Sequence, residues 1–202
     1  MTVTASPITP RQEEILDRTL ELVREGGLAN LTMKKVAERV GFTEPALYRY
    51  YPTKQALVLG LLNRLEEMLL PRLRAEAADM SLPPVERLER MVSHHAGLII
   101  DTDGLPFLLL AEASAAGDEV VIRRMSRMAT GLLESLETVL GELPAAPGAP
   151  PPRKLVLPLL GFAAGLALQR RLVPEKSLAK EEALALIPLL VRRITAWKED
   201  GE

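Results

Sequence analysis

The stretch TMKKVAERVGFTEPALYRYYPTKQAL, Thr32 to Leu57, decides the fold. Met33, Val36, Ala37 and Val40 recur at the i, i+3, i+4, i+7 spacing of an amphipathic helix, which turns Lys34, Lys35, Glu38 and Arg39 outward. Thr32 is placed to cap that helix and Gly41 to stop it. Thr43 caps the next helix, Glu44-Pro45 opens it, and about two turns later Pro52 breaks it. Thr53 then caps a fourth helix. All three tyrosines of the chain, Tyr48, Tyr50 and Tyr51, fall inside this segment. From Thr32 to Lys54 the basic residues are Lys34, Lys35, Arg39, Arg49 and Lys54 and the acidic ones are Glu38 and Glu44, whereas the whole chain carries a net charge of −2. A small basic patch therefore sits on an acidic body, and a polyanionic partner fits only near the N-terminus.

Outward from this segment nearly everything reads as helix. Thr9-Pro10-Arg11-Gln12 has the form of a capping box with proline in the first turn. Ile15, Leu16, Thr19, Leu20 and Val23 form one face, and Gly26-Gly27 ends the helix. The fourth helix runs to about Leu70, where Pro71 kinks or splits it. Further helices are expected from Pro84 to about Ile100, Pro106 to Ala115 and Asp118 to Leu140. A proline- and alanine-rich linker follows from Gly141 to Pro152, and helices over 153–173 and 178–199 close the chain. No window alternates with period two. The expected fold is all-α.

With 202 residues, 48% of them hydrophobic, the chain can bury a sizeable core. Having no cysteine, it has no disulfides, thiolate zinc site or cysteine catalysis, which fits a reducing compartment. The start MTVTASPITP lacks the basic-then-apolar pattern of a signal peptide. The apolar run Leu155 to Leu168 is short and interrupted by Pro158 and two glycines, so a buried or interface helix is expected rather than a membrane span. A cytoplasmic location and no membrane partner follow as expectations.

Helix, glycine turn and helix at these lengths make a helix-turn-helix, whose second helix matches the width of a DNA major groove. Phe42 is expected in the small core between the helices. The residues Arg11, Ile15-Leu16, Gly27, Leu31-Thr32-Met33, Val36-Ala37, Gly41-Phe42-Thr43, Leu47-Tyr48, Tyr50-Tyr51, Lys54 and Leu57, at their fixed spacing, resemble the N-terminal domain of TetR-type transcriptional regulators over roughly residues 9 to 60. The resemblance implies a three-helix DNA-binding domain, placed at 1–55, and a larger helical ligand-binding and dimerisation domain, 56–202. It implies phosphate contacts from Thr32, Tyr48 and Lys54, and a groove-facing helix start at Thr43, Glu44, Pro45 and Ala46. Tyr50 stands where the family often has histidine, and a phenol can also donate to phosphate. Tyr51 replaces a common phenylalanine and is expected in the core. Arg49 is expected to touch base or phosphate. Lys34 and Lys35 either touch DNA or are solvated.

In the second domain the candidate cavity residues are Met91, His94, His95, Phe107, Glu112, Met125, Met128 and Phe162. Methionine suits variable apolar ligands. Adjacent helical histidines point about 100° apart and cannot chelate one ion well, so no metal is expected at His94 and His95; one of them is placed to line a cavity. Glu112, inside FLLLAEASAAG, is either exposed or buried with a partner. Arg123, Arg124 and Arg127 form either a solvated face or a seat for an anionic headgroup.

Gly161, Ala163, Ala164, Gly165 and Ala167 permit close helix approach. With Leu186, Ile187, Leu190, Ile194 and Trp197 they suit a four-helix interface with a symmetry mate. No Ser-His-Asp arrangement, glycine-rich phosphate loop or HExxH is present, so no enzyme activity and no cofactor are expected. The expected function is a ligand-responsive repressor. It binds a palindromic double-stranded DNA operator as a homodimer through its last two helices. An apolar or fatty acyl effector releases it. The alternative is a DNA-binding regulator controlled by a protein partner with no small ligand.

Overall fold

The computed structural model describes residues 8–26, 30–144 and 148–196. Gly27 and Trp197 lie outside them. Among the described residues all regular structure is helical. The N-terminal unit comprises α1 (Pro10–Gly26), α2 (Met33–Val40) and α3 (Glu44–Tyr48). The capping box at Thr9 forms: the Thr9 amide donates to Gln12 Oε1 at 3.0 Å, and the Gln12 amide donates to Thr9 Oγ1 at 3.3 Å. Thr32 caps α2 through the Lys35 amide, and Gly41 takes φ 76°, the left-handed conformation a side chain resists. Ile15, Leu16, Val36, Ala37, Leu47 and Tyr51 close this small core.

Helix α4 (Lys54–Ala78) packs on α1 at one end and on α5 (Pro84–Asp101) and α7 (Glu119–Gly141) along the rest. It continues through Pro71, so the expected split does not occur. The carbonyl that Pro71 deprives of a donor belongs to Glu67, on the exposed side, where water can satisfy it. Gly60 lets the Tyr51 ring lie directly on α4, since a Cβ there would meet the ring at 2.8 Å.

The remaining elements are α6 (Leu105–Ala116), α8 (Pro152–Leu172), a single 3-10 turn, α9 (Lys180–Ala185) and α10 (Ile187–Thr195). The long final helix expected over 178–199 is broken at Leu186, because Pro188 cannot donate to the Leu184 carbonyl, and the Leu186 amide closes a tighter turn onto the Ala183 carbonyl at 3.3 Å. Helix α8 is long and apolar enough by composition to cross a membrane. It nevertheless packs on α5 and α7 through Val156, Leu159, Ala163 and Leu166.

Arg87 is 1% exposed in the large core and reaches Glu142, at the end of α7, with a bidentate pair, and the Ala77 carbonyl at 2.5 Å. It thereby ties together the C-terminal ends of α4 and α7.

Candidate nucleic-acid interface and effector cavity

Thr43, Glu44 and Pro45 are exposed at the start of α3, Ala46 is half-buried and Leu47 anchors the helix inward. Thr43 occupies the cap position, but its hydroxyl makes no capping bond and is free to donate outward. Thr32 accepts the Lys35 amide at 3.2 Å, which leaves its own proton available. Tyr48 is 42% exposed. Arg49 is exposed but caps the C-terminus of α3 rather than lying on it, because the chain turns there toward Pro52.

Two sequence readings are refined. Phe42 packs against the small core, as expected, but at its edge. It is half-buried, stacked on Tyr50 with centroids 5.7 Å apart and covered by the Arg11 guanidinium at 4.3 Å. An aromatic sandwich therefore braces Tyr50. The local charge is also smaller than the count suggests, because Arg39 is engaged by Glu25 at 2.9 Å, a bond that also holds the Glu25 carboxyl below its ordinary pKa. Lys35 reaches Asn30 at 2.5 Å. Among the described residues Lys34 and Arg49 make no ion pair. Tyr51 is buried, donates weakly to the Gln12 carbonyl at 3.5 Å, and burial pushes its phenol up to about 12, so it stays protonated.

Lys54 does not point freely to solvent. Its Nζ lies 2.7 Å from Glu112 on α6. Beside it the Gln55 amide donates to both oxygens of Asp118 at 2.9 Å. That donation, followed by the α7 amide of Val121, keeps the Asp118 carboxyl below its usual range. The first turn of α4 is thus fastened to the α6–α7 corner. This contact was missed in the sequence, because no local pattern pairs residues 58 and 63 positions apart.

Helices α4 to α8 line an apolar cavity of about 460 Å³ that opens to the surface past Leu110, Ser126 and Leu157. Of the expected cavity residues, His95, Phe107, Met125 and Met128 line it. Met91 is wholly buried in the core, Phe162 packs against the core, His94 turns to the Met68 carbonyl at 2.8 Å, and Glu112 holds Lys54. The rim includes Leu110, Ser126 and Leu157, which periodicity alone did not single out. A larger cleft of about 910 Å³ between α4, α5 and α9 is polar, but its charges are already matched in Arg72–Glu76, Arg90–Glu86 and Lys180–Asp101 pairs. Of the three arginines on α7, Arg123 pairs with Glu119, Arg124 with Glu66 and Asn63, and Arg127 is exposed. Among the described residues no cluster of His, Asp or Glu could hold a metal ion.

His95 is buried, and burial, with a smaller push from neighbouring His94, lowers its imidazole to about 4. An unfolded histidine titrates near 6.5, so as pH falls from there toward 4 the unfolded chain takes the proton first and stability is lost. His95→Leu is expected to remove about 2 kcal/mol of the stability difference between pH 7 and about pH 5. Urea unfolding of both proteins at the two pH values reads this directly.

An exposed three-helix reader joined through α4 to a larger helical body defines a helix-turn-helix transcriptional regulator. Residues 15–61 match the sequence profile of the tetR family of bacterial regulatory proteins. The nucleoid occlusion factor SlmA of Vibrio campbellii is 31% identical over 137 residues, 67% of each chain. That of Marinomonas sp. is 28% identical over 132 residues, 65% of this chain and 66% of its own. A TetR/AcrR-family regulator of Thermobifida fusca superposes with a TM-score of 0.67 at 25% identity, covering 95% of this chain and all of that one. The Bacillus subtilis regulator FadR, solved with stearoyl-CoA, shares the fold with a TM-score of 0.71 at 17% identity, over 91% of this chain and 97% of its own. The chain belongs to the tetR family of DNA-binding regulators, which are not enzymes.

Proposed function

We propose that this protein is a homodimeric, effector-responsive repressor acting on chromosomal DNA in the cytoplasm. The observation that carries this reading is the fastening of α4. The walls of the apolar cavity include α6 and α7, and the same two helices hold Lys54 and Gln55 at the start of α4. A molecule filling the cavity favours one arrangement of α6 and α7. It acts only through its difference in affinity between that arrangement and the DNA-binding one. The shift reaches α3 through α4, and the two recognition helices lose the spacing of successive grooves.

The dimer face follows from what one chain leaves uncovered. Leu157, Gly161, Gly165, Leu168 and Leu172 form an exposed stripe along α8, and Leu186 and Leu189 lie exposed beyond the break in the last helix. Ala163 and Ile187, expected at the interface, are instead wholly buried within the chain. Paired stripes on a two-fold axis suit a palindromic operator.

Tyr48→Phe and Lys54→Ala are expected to weaken binding to the protein's own promoter fragment about equally for all sequences, with Lys54→Ala reducing the salt slope by about 1 per half-site. Glu112→Gln, which frees Lys54, is expected to move affinity in the opposite direction. Mobility-shift titrations at several salt concentrations measure all three. Unchanged affinity in Tyr48→Phe and Lys54→Ala would remove these residues from the interface.

A second reading is supported by the name shared by the relatives of about 30% identity, nucleoid occlusion factor. Under it the protein occupies DNA sites under control of a protein partner. DNA release by a small apolar compound alone argues against it.

A further inference from the structure

Building on the effector-responsive reading, we propose that the cavity binds an uncharged, mainly aliphatic molecule carrying one hydrogen-bonding oxygen, and that His95 is the residue that recognises that oxygen.

The lining is almost wholly hydrocarbon and methionine sulfur, and its volume of about 460 Å³ falls within the roughly 300–1,000 Å³ of small-molecule sites. Its two polar side chains are His95 and Ser126. Ser126 is exposed at the rim, where water can satisfy it. His95 is 7% exposed and takes part in none of the side-chain hydrogen bonds found among the described residues, and its ring nitrogens are not sealed off but open onto the cavity. An imidazole that faces a cavity and has no protein partner is free to bond to whatever occupies it. Its near neighbour shows the contrast, since His94 is satisfied by the Met68 carbonyl. A neutral imidazole offers one N–H donor and one bare nitrogen, so it can serve a carbonyl or a hydroxyl.

The cavity's charge excludes other headgroups. No lysine, arginine, aspartate or glutamate from α4, α5, α6, α7 or α8 lines it, and among the described residues the adjacent His94 is the neighbouring charge that lowers His95. A carboxylate or ammonium seated beside buried His95, rather than at the open mouth, would be an uncompensated buried charge, which low-dielectric surroundings penalise heavily. A long-chain alcohol, ketone or ester meets both constraints. An ionised fatty acid does not.

The test is direct binding by calorimetry of decanol, methyl octyl ketone, decanoate and decylammonium to the full-length protein. Decanol and the ketone are expected to bind with affinities that stay flat between about pH 6 and pH 8, while decanoate weakens by about tenfold per pH unit because only its neutral acid enters. His95→Leu is expected to cost decanol and the ketone about tenfold, the worth of one hydrogen bond, and His95→Gln to restore part of it.

Equal binding of decanoate and decanol at pH 8 by the wild-type protein overturns the proposal without any variant. So does failure of the whole series to bind, or an unchanged ranking in a folded His95→Leu protein. Release of promoter DNA is scored separately. Compounds that bind with the expected ranking but never release DNA leave the binding site standing and defeat the effector-responsive reading.

Discussion

Leu168→Glu is expected to give a folded monomer whose operator affinity falls on the order of 10²–10⁴-fold, the range by which linking two binding modules exceeds one alone. Leu168 is 60% exposed in the single chain, so a glutamate there costs the isolated fold little. In the proposed dimer, the two-fold axis places the same stripe of both copies together, and two carboxylates meet in a drying apolar seam. The stripe residues Leu157, Gly161, Gly165 and Leu172 carry no charge, and the nearest cation, Arg171, is already paired with Asp103 at 3.2 Å. Sedimentation gives the oligomeric state, and a mobility shift gives the affinity. A variant that remains dimeric with unchanged DNA binding places the interface elsewhere on the molecule.

Glu142→Ala is the substitution expected to cost most stability, about 3 kcal/mol. For a chain of this size that lowers Tm by roughly 6–12 °C. The reason lies in its partner. Arg87 is 1% exposed, so removing Glu142 leaves a guanidinium in the core with the Ala77 carbonyl as its remaining acceptor. Part of Glu142 reaches solvent, with 32% of its side chain exposed, and this holds the expected loss toward the lower end for a broken buried pair. Replacing both residues together, as Arg87→Met with Glu142→Leu, is expected to recover most of the loss, since hydrocarbon of similar volume needs no counter-charge. Denaturant midpoints for the single and double variants close the cycle. A single variant as stable as the wild type would show that water reaches Arg87.

Local rules carried the sequence reading furthest where each signal acts over a few residues. The Thr9 capping box, the Thr32 cap and the left-handed Gly41 are satisfied within one turn of chain, and all three form. The heptad-like spacing of Met33, Val36 and Ala37 likewise fixes which face of α2 is buried. Proline proved ambiguous for a physical reason. Pro71 and Pro158 lie inside continuous helices, and the residues whose carbonyls they leave without a donor, Glu67 and Lys154, are exposed. At Pro188 the chain turns instead. No count of prolines distinguishes these cases, since the outcome depends on what surrounds the freed carbonyl.

The amino-acid order by itself determined an all-helical chain with a helix-turn-helix near its start, because caps, glycine turns and apolar periodicity are properties of neighbours in sequence. Only the tertiary structure decided which side chains meet across distance. It set Lys54 against Glu112, left His95 rather than His94 facing the cavity, buried Ile187 while exposing Leu168, and stacked Phe42 on Tyr50 at the edge of the small core. Those choices follow from how helices rotate and cross when they pack, and such rotations are set by the whole core at once rather than by any single segment.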